Sequence, residues 1–279
     1  MPVRFALALL LAPLAACASA QAPVGERTLS DDEWCAEARR SAGYGSGQEV
    51  ACEVREVLLP AGSLGVTGQN GGIKVRQWDR PDVLVRARVV GRARTDGEAR
   101  RLVDATTLDV DGRDVRARAP GGNRGSQVSV GYEVFAPRRT DLALQTQNGG
   151  VSVEGIEGRL DARTQNGGVA LRDVAGSVHA RTQNGGISVD LGGPGWRGSG
   201  LDVATTNGGI TITVPRGYSA DLSAETQTGR ISTPGLDLRA ERRERGRYVG
   251  DRVEARIGDG GPRLSAATTN GGITIRGGR

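Results

Sequence analysis

The sequence predicts an all-β fold of the β-solenoid class, in which short strands stack coil upon coil around a thin apolar core. The first observation is an internal repeat. The stretch that begins at Thr146 recurs eighteen residues later at Thr164 and again at Thr182. Looser copies surround Asn70, Asn207, Thr228 and Asn270. A fixed period of this length indicates small units that cannot bury an apolar face alone and are stabilised by their neighbours.

The second observation is a regular alternation of apolar and polar residues around the Asn of each repeat. The position six residues before it is held by Leu64, Leu142, Leu160, Val178, Leu201, Leu222 and Leu264. The position three residues after it is held by Ile73, Val151, Val169, Ile187, Ile210, Ile231 and Ile273. This two-residue period is typical of half-buried strands. The alternation changes phase at Asn-Gly-Gly, which predicts a turn or bulge there, because Asn and Gly accept positive φ at low cost.

The third observation is the composition. The chain has 44 glycines but only three tryptophans, four tyrosines and two phenylalanines. Such a composition suits tight turns and an aliphatic core, and it argues against a globular enzyme with a deep, aromatic-lined pocket.

Two architectures satisfy the repeat. In a parallel β-solenoid the Asn-Gly-Gly corners stack, whereas in an antiparallel β meander or sandwich Asn-Gly closes a two-residue hairpin. We favour the solenoid because an exact eighteen-residue step superposes identical side chains on successive coils, where Asn148, Asn166 and Asn184 can form a ladder. The predicted repeat-turn residues are Asn70, Asn148, Asn166, Asn184, Asn207 and Asn270.

Residues 1–20 have the character of an export signal. Arg4 precedes a short apolar run that cannot span a bilayer. Two processing sites remain open: a lipobox that ends at Cys17, which would then carry a lipid, and ordinary cleavage after Ala20. The lipobox is favoured because Cys17 has no other evident role among the three cysteines.

Residues 21–60 are expected to form an N-terminal helix and a strand linked by a disulfide. In an exported chain the remaining pair, Cys35 and Cys52, is expected to be oxidised, which contributes about 3 kcal/mol if the bond is unstrained. A capping box, Ser30 to Glu33, opens the helix. A second short helix is predicted from Thr95 to Ala105, within the β-strand-repeat domain of residues 61–279.

A family resemblance appears in three places. The run from Tyr132 to Pro137, followed by a Leu-x-Leu strand and Thr-Gln-Asn-Gly-Gly, resembles the bacterial "putative adhesin" family of β-strand-repeat domains of unknown function. So does the closing run from Gly258 to Leu264 with Thr269 to Ile275. The stretches Cys52 to Glu56 and Asn70 to Val75 are similar to a secreted branch of it. The resemblance covers about residues 50–279. It implies an exported, non-enzymatic β-solenoid-like domain, and it carries over no catalytic residue.

Signals for catalysis, cofactors and metals are weak. The only histidine, His179, follows Val178 and is therefore expected on an outward face. One histidine and no second cysteine pair argue against zinc, and turns without carboxylates argue against calcium. Charge is interspersed at a formal net +5, and aromatic residues are scarce, which argues against nucleic acid. We expect neither a cofactor nor a small-molecule substrate.

These observations favour an exported envelope protein without catalytic activity: an adhesin-like or scaffold domain with a polar face that binds an envelope protein or a glycan. The membrane contact would be an N-terminal lipid, and the location would be the outer membrane, the periplasm or the cell surface. One alternative is a regulatory or envelope-stress domain that binds a partner. A less favoured alternative is a polysaccharide-active β-helix enzyme, for which the candidate residues are Asp161, Arg163, Arg172, Asp173 and Arg181.

Overall fold

A computed structural model describes residues 26–29, 33–42, 47–122, 125–238, 241–245 and 248–278 of the chain. The two helices of this part are α1 (Glu33–Ala42) and α2 (Asp96–Asp104). The strands of the first half are β1 (Glu26–Leu29), β2 (Glu49–Leu59), β3 (Leu64–Asn70), β4 (Ile73–Gln77), β5 (Val83–Ala93), β6 (Thr107–Asp111), β7 (Asp114–Arg118), β8 (Gln127–Ala136), β9 (Leu142–Asn148) and β10 (Val151–Glu154). Those of the second half are β11 (Glu157–Asn166), β12 (Val169–Arg172), β13 (Ala175–Asn184), β14 (Ile187–Asp190), β15 (Gly200–Asn207), β16 (Ile210–Val214), β17 (Ala220–Thr228), β18 (Ile231–Ser232), β19 (Glu241–Arg245), β20 (Tyr248–Ile257), β21 (Arg263–Asn270) and β22 (Ile273–Gly277).

The strands form two sheets that enclose one elongated core. Sheet A has the order β1-β2-β5-β8-β4-β10-β12-β14-β16-β22-β18, and sheet B has the order β19-β20-β17-β21-β15-β13-β11-β9-β3-β7-β6. Each repeat is one coil: a strand of sheet B, an Asn-Gly-Gly turn and a strand of sheet A. Neighbouring coils pair in parallel, so that Val151 lies beside Val169 and Asn148 beside Asn166. The predicted solenoid is therefore confirmed. Antiparallel pairing, the alternative, is found at the ends of the stack.

The turns stack through two rows of side-chain hydrogen bonds. In the outer row each Asn amide donates to the Asn of the next coil at 2.8–3.0 Å, along the series Asn270, Asn207, Asn184, Asn166, Asn148 and Asn70. In the inner row a buried Thr hydroxyl, such as that of Thr182, donates to the first glycine carbonyl of an adjacent turn, here Gly167 at 2.7 Å. The six repeat-turn asparagines predicted from the sequence thus form one continuous ladder.

The first glycine of each turn is required by the close approach of neighbouring coils. A Cβ placed on Gly185 would lie 2.1 Å from the carbonyl oxygen of Gly167. The second glycine is less restricted, since a Cβ on Gly186 would lie 3.3 Å from the oxygen of Gly209.

The order of the coils in space differs from their order in the chain. The last repeat, β21 and β22, lies between the coil of β15 and β16 and the coil of β17 and β18. The coil of β17 and β18 thus closes the stack, and β20 and β19 extend sheet B beyond it as an antiparallel hairpin. The strand β19 of this hairpin consists entirely of charged residues.

The two helices lie on opposite sides of the β2–β5 ribbon. Val103 of α2 joins the main core, whereas α1 packs on the outer face in a small cluster with Cys52, Val54 and Val90. The Thr95 hydroxyl caps α2 by accepting a hydrogen bond from the Glu98 amide. The predicted disulfide between Cys35 and Cys52 is formed and fastens α1 to β2.

Candidate functional site

A long groove follows the outer face of sheet A across the strands. Its floor contains the second glycine of successive turns together with Gly131: Gly131, Gly72, Gly150, Gly168, Gly186 and Gly209. A parallel row on the floor holds Lys74, Ser152, Ala170, Ser188 and Thr211, which are register partners on adjacent strands. This sheet A groove has a volume of about 770 Å³. It arises because outward positions that carry large side chains in most sheets are glycine or small residues here.

Charges of alternating sign run beside the groove. The outward position two residues beyond the small row holds Arg76, Glu154, Arg172 and Asp190 on neighbouring strands. The Arg172 guanidinium lies 3.8 Å from the Glu154 carboxylate and 3.6 Å from that of Asp190. These exposed pairs each contribute at most about 1 kcal/mol, but their alternation leaves this flank close to neutral.

One end of the groove is closed by α1. Trp34 lies over the head of the glycine row, where a Cβ on Gly131 would be 3.7 Å from Cζ2 of the indole. The Arg88 guanidinium stacks on the indole at 4.6 Å from its centroid, donates to the Trp34 carbonyl at 2.9 Å, and pairs with Glu37 at 3.6 Å. Because the disulfide holds α1 in place, it also holds Trp34 at this end.

Lys74 is the second cation that lines the groove, besides Arg88. Its side chain is exposed on β4, next to Ser152 of the neighbouring strand. No carboxylate of the described residues lies within ion-pairing distance of it, whereas Arg76 and Arg86 on the surrounding strands both pair with Glu133. Lys74 therefore offers a positive charge to a ligand in the groove.

The outer face of sheet B carries a second groove, of about 560 Å³, among paired charges. Asp161 accepts two hydrogen bonds from Arg163, at 2.9 and 2.8 Å. Arg181 pairs with Asp202, and exposed His179 lies 3.6 Å from the same carboxylate. The outward position predicted for His179 is thus observed.

The five residues considered for a polysaccharide-active enzyme are not brought together as one set. Asp161, Arg163 and Arg181 are on sheet B, and Arg172 is on sheet A. Asp173 follows β12 and lies within ion-pairing distance of Arg138 and Arg197. Proximity in sequence was misleading because consecutive strands of one coil belong to opposite sheets.

Two buried tyrosines have raised pKa values. Burial raises the pKa of Tyr132 to about 12, partly offset by the hydrogen bond that its hydroxyl accepts from the Ala117 amide at 2.7 Å. Burial also raises the pKa of Tyr218 to about 12, and the positive charge of Arg197 lowers it in part. Both side chains are buried in the core.

Sequence reasoning did not foresee the groove or the position of Trp34. The repeated glycines and small outward residues were visible, but the end of the groove depends on tertiary packing of α1. Cys17 and residues 1–25 lie outside the described residues. Among the described residues, no group of three or more His, Cys, Asp or Glu side chains is placed to hold a metal ion. None of the described helices has the length and apolar character to cross a bilayer.

The profile of the Toastrack DUF4097 family matches residues 103–276, which is more than half of the chain. This chain belongs to the Toastrack family. The family assignment agrees with the resemblance to β-strand-repeat "putative adhesin" domains and with the β-solenoid-like architecture. No curated protein matches this Toastrack chain.

Several solved structures are similar to this Toastrack chain at a distance. One is a "putative cell adhesion protein" from Clostridium sporogenes, with a TM-score of 0.46 and 12% identity over 82% of this chain and 100% of that one. Another is a "putative adhesin" from Bacteroides fragilis, with a TM-score of 0.37 and 9% identity over 82% of this chain and 97% of that one. Likenesses this distant say nothing of function, and the family assignment rests on the sequence match.

Proposed function

We propose that this Toastrack protein is an exported, non-catalytic protein of the bacterial envelope that binds an extended ligand or partner in the sheet A groove. The observation that carries the proposal is the groove itself, which is continuous over the coils and has a floor of glycine and small polar residues. A stack of coils continues such a surface from one repeat to the next.

Export is proposed from two features. Residues 1–20 have the pattern of a signal segment, with lipidation at Cys17 as the favoured processing. The Cys35–Cys52 disulfide is the second, since such bonds persist in oxidising compartments.

The absence of catalysis is proposed from the chemistry of the groove. Among the described residues that line it, none is an Asp, Glu, His or Cys. General acid–base catalysis most often uses a group of this kind. Of the other candidates in the lining, Tyr132 is buried and its pKa is raised to about 12, which leaves Lys74 alone. Binding without turnover is therefore the function that the lining supports.

A substitution that fills the groove tests the proposal. Ala170 lies on the floor between Ser152 and Ser188, so the side chain in Ala170→Arg would occupy the middle of the groove. We expect the purified wild-type protein to sediment with isolated bacterial envelopes and Ala170→Arg to do so about tenfold less, a loss of about 1.4 kcal/mol. Ala143→Arg, on the exposed face of sheet B, is the matched control and should bind as the wild type does.

Equal binding by all three proteins, with unchanged melting curves, would exclude the sheet A groove as the binding surface. Release of new sugar ends from envelope polysaccharide by the wild type would show turnover and would overturn the non-catalytic assignment.

A further inference from the structure

The hydroxyls on the floor of the sheet A groove have no hydrogen-bond partner within the described part of the chain. They belong to Ser152, Ser188 and Thr211, which lie on alternate or adjacent strands. An acyl chain laid over them would remove their water without replacing its hydrogen bonds, which is unfavourable. A ligand rich in hydroxyls would satisfy them.

An extended peptide fits this surface less well. The floor belongs to interior strands of sheet A, whose backbone N–H and C=O groups pair with both neighbouring strands. Peptides that bind sheets usually add to an unpaired edge and place side chains in pockets. Here the edge is distant and the glycine row is flat.

The dimensions of the groove suit a linear glycan. Neighbouring strands lie about 4.8 Å apart, so the five spacings from Gly131 on β8 to Gly209 before β16 extend about 24 Å. One strand spacing is close to the length of one sugar unit in an extended chain. Successive units would therefore meet successive floor residues.

The closed end adds charge and an aromatic ring, which a row of small residues alone would not supply. Lys74 forms no ion pair among the described residues, because Glu133, its register partner on β8, pairs with Arg76 and Arg86. Arg88, the other charged residue that lines the groove, pairs with Glu37. Trp34 borders the same end and adds apolar indole surface beside the floor. The complementary ligand is negative at this end and neutral along its length.

We propose that the sheet A groove binds a linear oligosaccharide of about five units, with a hexuronate whose carboxylate pairs with Lys74 beside Trp34. This inference rests on the proposed function and names the ligand class of the same groove. The remaining units hydrogen-bond to the floor hydroxyls.

Calorimetric titration with a hexuronate oligosaccharide and with its carboxyl-reduced, neutral counterpart of equal length tests the proposal. We expect the acidic form to bind the wild type about tenfold more tightly, because only its carboxylate can accept a charge-assisted hydrogen bond from Lys74. Lys74→Gln should remove this preference. Arg159→Gln, which loses the same charge from the exposed face of sheet B, should retain it.

The chain provides a direct readout of position, because Lys74 is its only lysine. The bound acidic oligosaccharide should protect Lys74 from an amine-acylating reagent, as measured by mass spectrometry, and the neutral one should protect it less. Equal affinity for both oligosaccharides, no effect of Lys74→Gln, or displacement by a fatty acid would each overturn the inference. Envelope binding that is lost in Ala170→Arg while neither oligosaccharide binds would overturn the ligand class and leave the proposed function standing.

Discussion

At the scale of single residues, the two glycines of a turn are alike in sequence but serve different purposes. The first permits neighbouring coils to approach, and the second forms the floor of the groove. The difference is visible at Gly185 and Gly186, whose added Cβ atoms would lie 2.1 Å and 3.3 Å from carbonyl oxygens. A repeat motif can therefore hold a structural residue and a surface residue side by side.

This difference gives a paired prediction. Gly185→Ala should lower the free energy of unfolding by about 1–3 kcal/mol, because the new methyl group meets backbone that cannot move without disturbing the stack. Gly186→Ala should change it by no more than about 0.5 kcal/mol. Urea denaturation of the two variants measures both values, and equal destabilisation would contradict the stacking role of the first glycine.

Tyr132 gives a prediction about alkaline pH. An unfolded tyrosine loses its proton near its ordinary pKa of 10.0, whereas burial holds the pKa of folded Tyr132 at about 12. Between these values the unfolded state binds fewer protons, so the free energy of unfolding falls as pH rises. Below pH 10 this contribution is fully present.

The check is urea denaturation across this pH window. In Tyr132→Phe the free energy of unfolding should fall less steeply with rising pH than in the wild type. It should fall less steeply still in the double variant with Tyr132→Phe and Tyr218→Phe. At neutral pH Tyr132→Phe should be less stable by about 1 kcal/mol, because the Ala117 amide loses its partner. If the free energy of unfolding of the double variant fell with pH as steeply as that of the wild type, groups other than these tyrosines would cause the loss of stability at alkaline pH.

At the scale of elements, the last repeat supports more of the stack than its place in the chain suggests. β21 pairs with β15 on one side and with β17 on the other. Ala266 on β21 and Ala224 on β17 are both buried, at 1% and 0% exposure, so the same substitution can be compared at the two positions.

We expect Ala266→Asp to expose the amides of β17, β20 and β21 together, since an unpaired charge in the core separates the last repeat from both neighbours. Ala224→Asp should expose the amides of β17 and β20. The amides of β21 should stay protected, because β21 remains paired with β15. Hydrogen exchange followed by mass spectrometry distinguishes the two patterns. Protected β17 and β20 in Ala266→Asp would show that the end of the stack is stable without the last repeat.

At the scale of the whole molecule, the sequence predicted the coil and its register but not the order of coils. Identical columns, such as the asparagines at positions 148, 166 and 184, define which residues stack. They do not define which coil lies next to which, because Leu264 and Ile273 fit equally well beside any other repeat. The order of the coils depends on the long β19–β20 hairpin, and no local sequence pattern reveals how this hairpin places the last repeat.

The candidate site was predicted only in part for a related reason. A polar face was expected from the sequence, and a row of small outward residues on that face is the floor of the groove. The closed end was not evident, because Trp34 and Gly131 are about a hundred positions apart in sequence. They meet because α1, which the disulfide fastens to β2, packs on the sheet. Local periodicity describes a repeating surface well and describes its boundaries poorly.

The position of the last repeat has a consequence for how the protein is made. During synthesis the residues of β17 and β18 emerge before the strands on which they finally rest, so the far end of the stack stays open until the C-terminal residues are available. A ribosome that stops early would release a chain with an uncovered, pairing-competent edge, which is a hazard for aggregation.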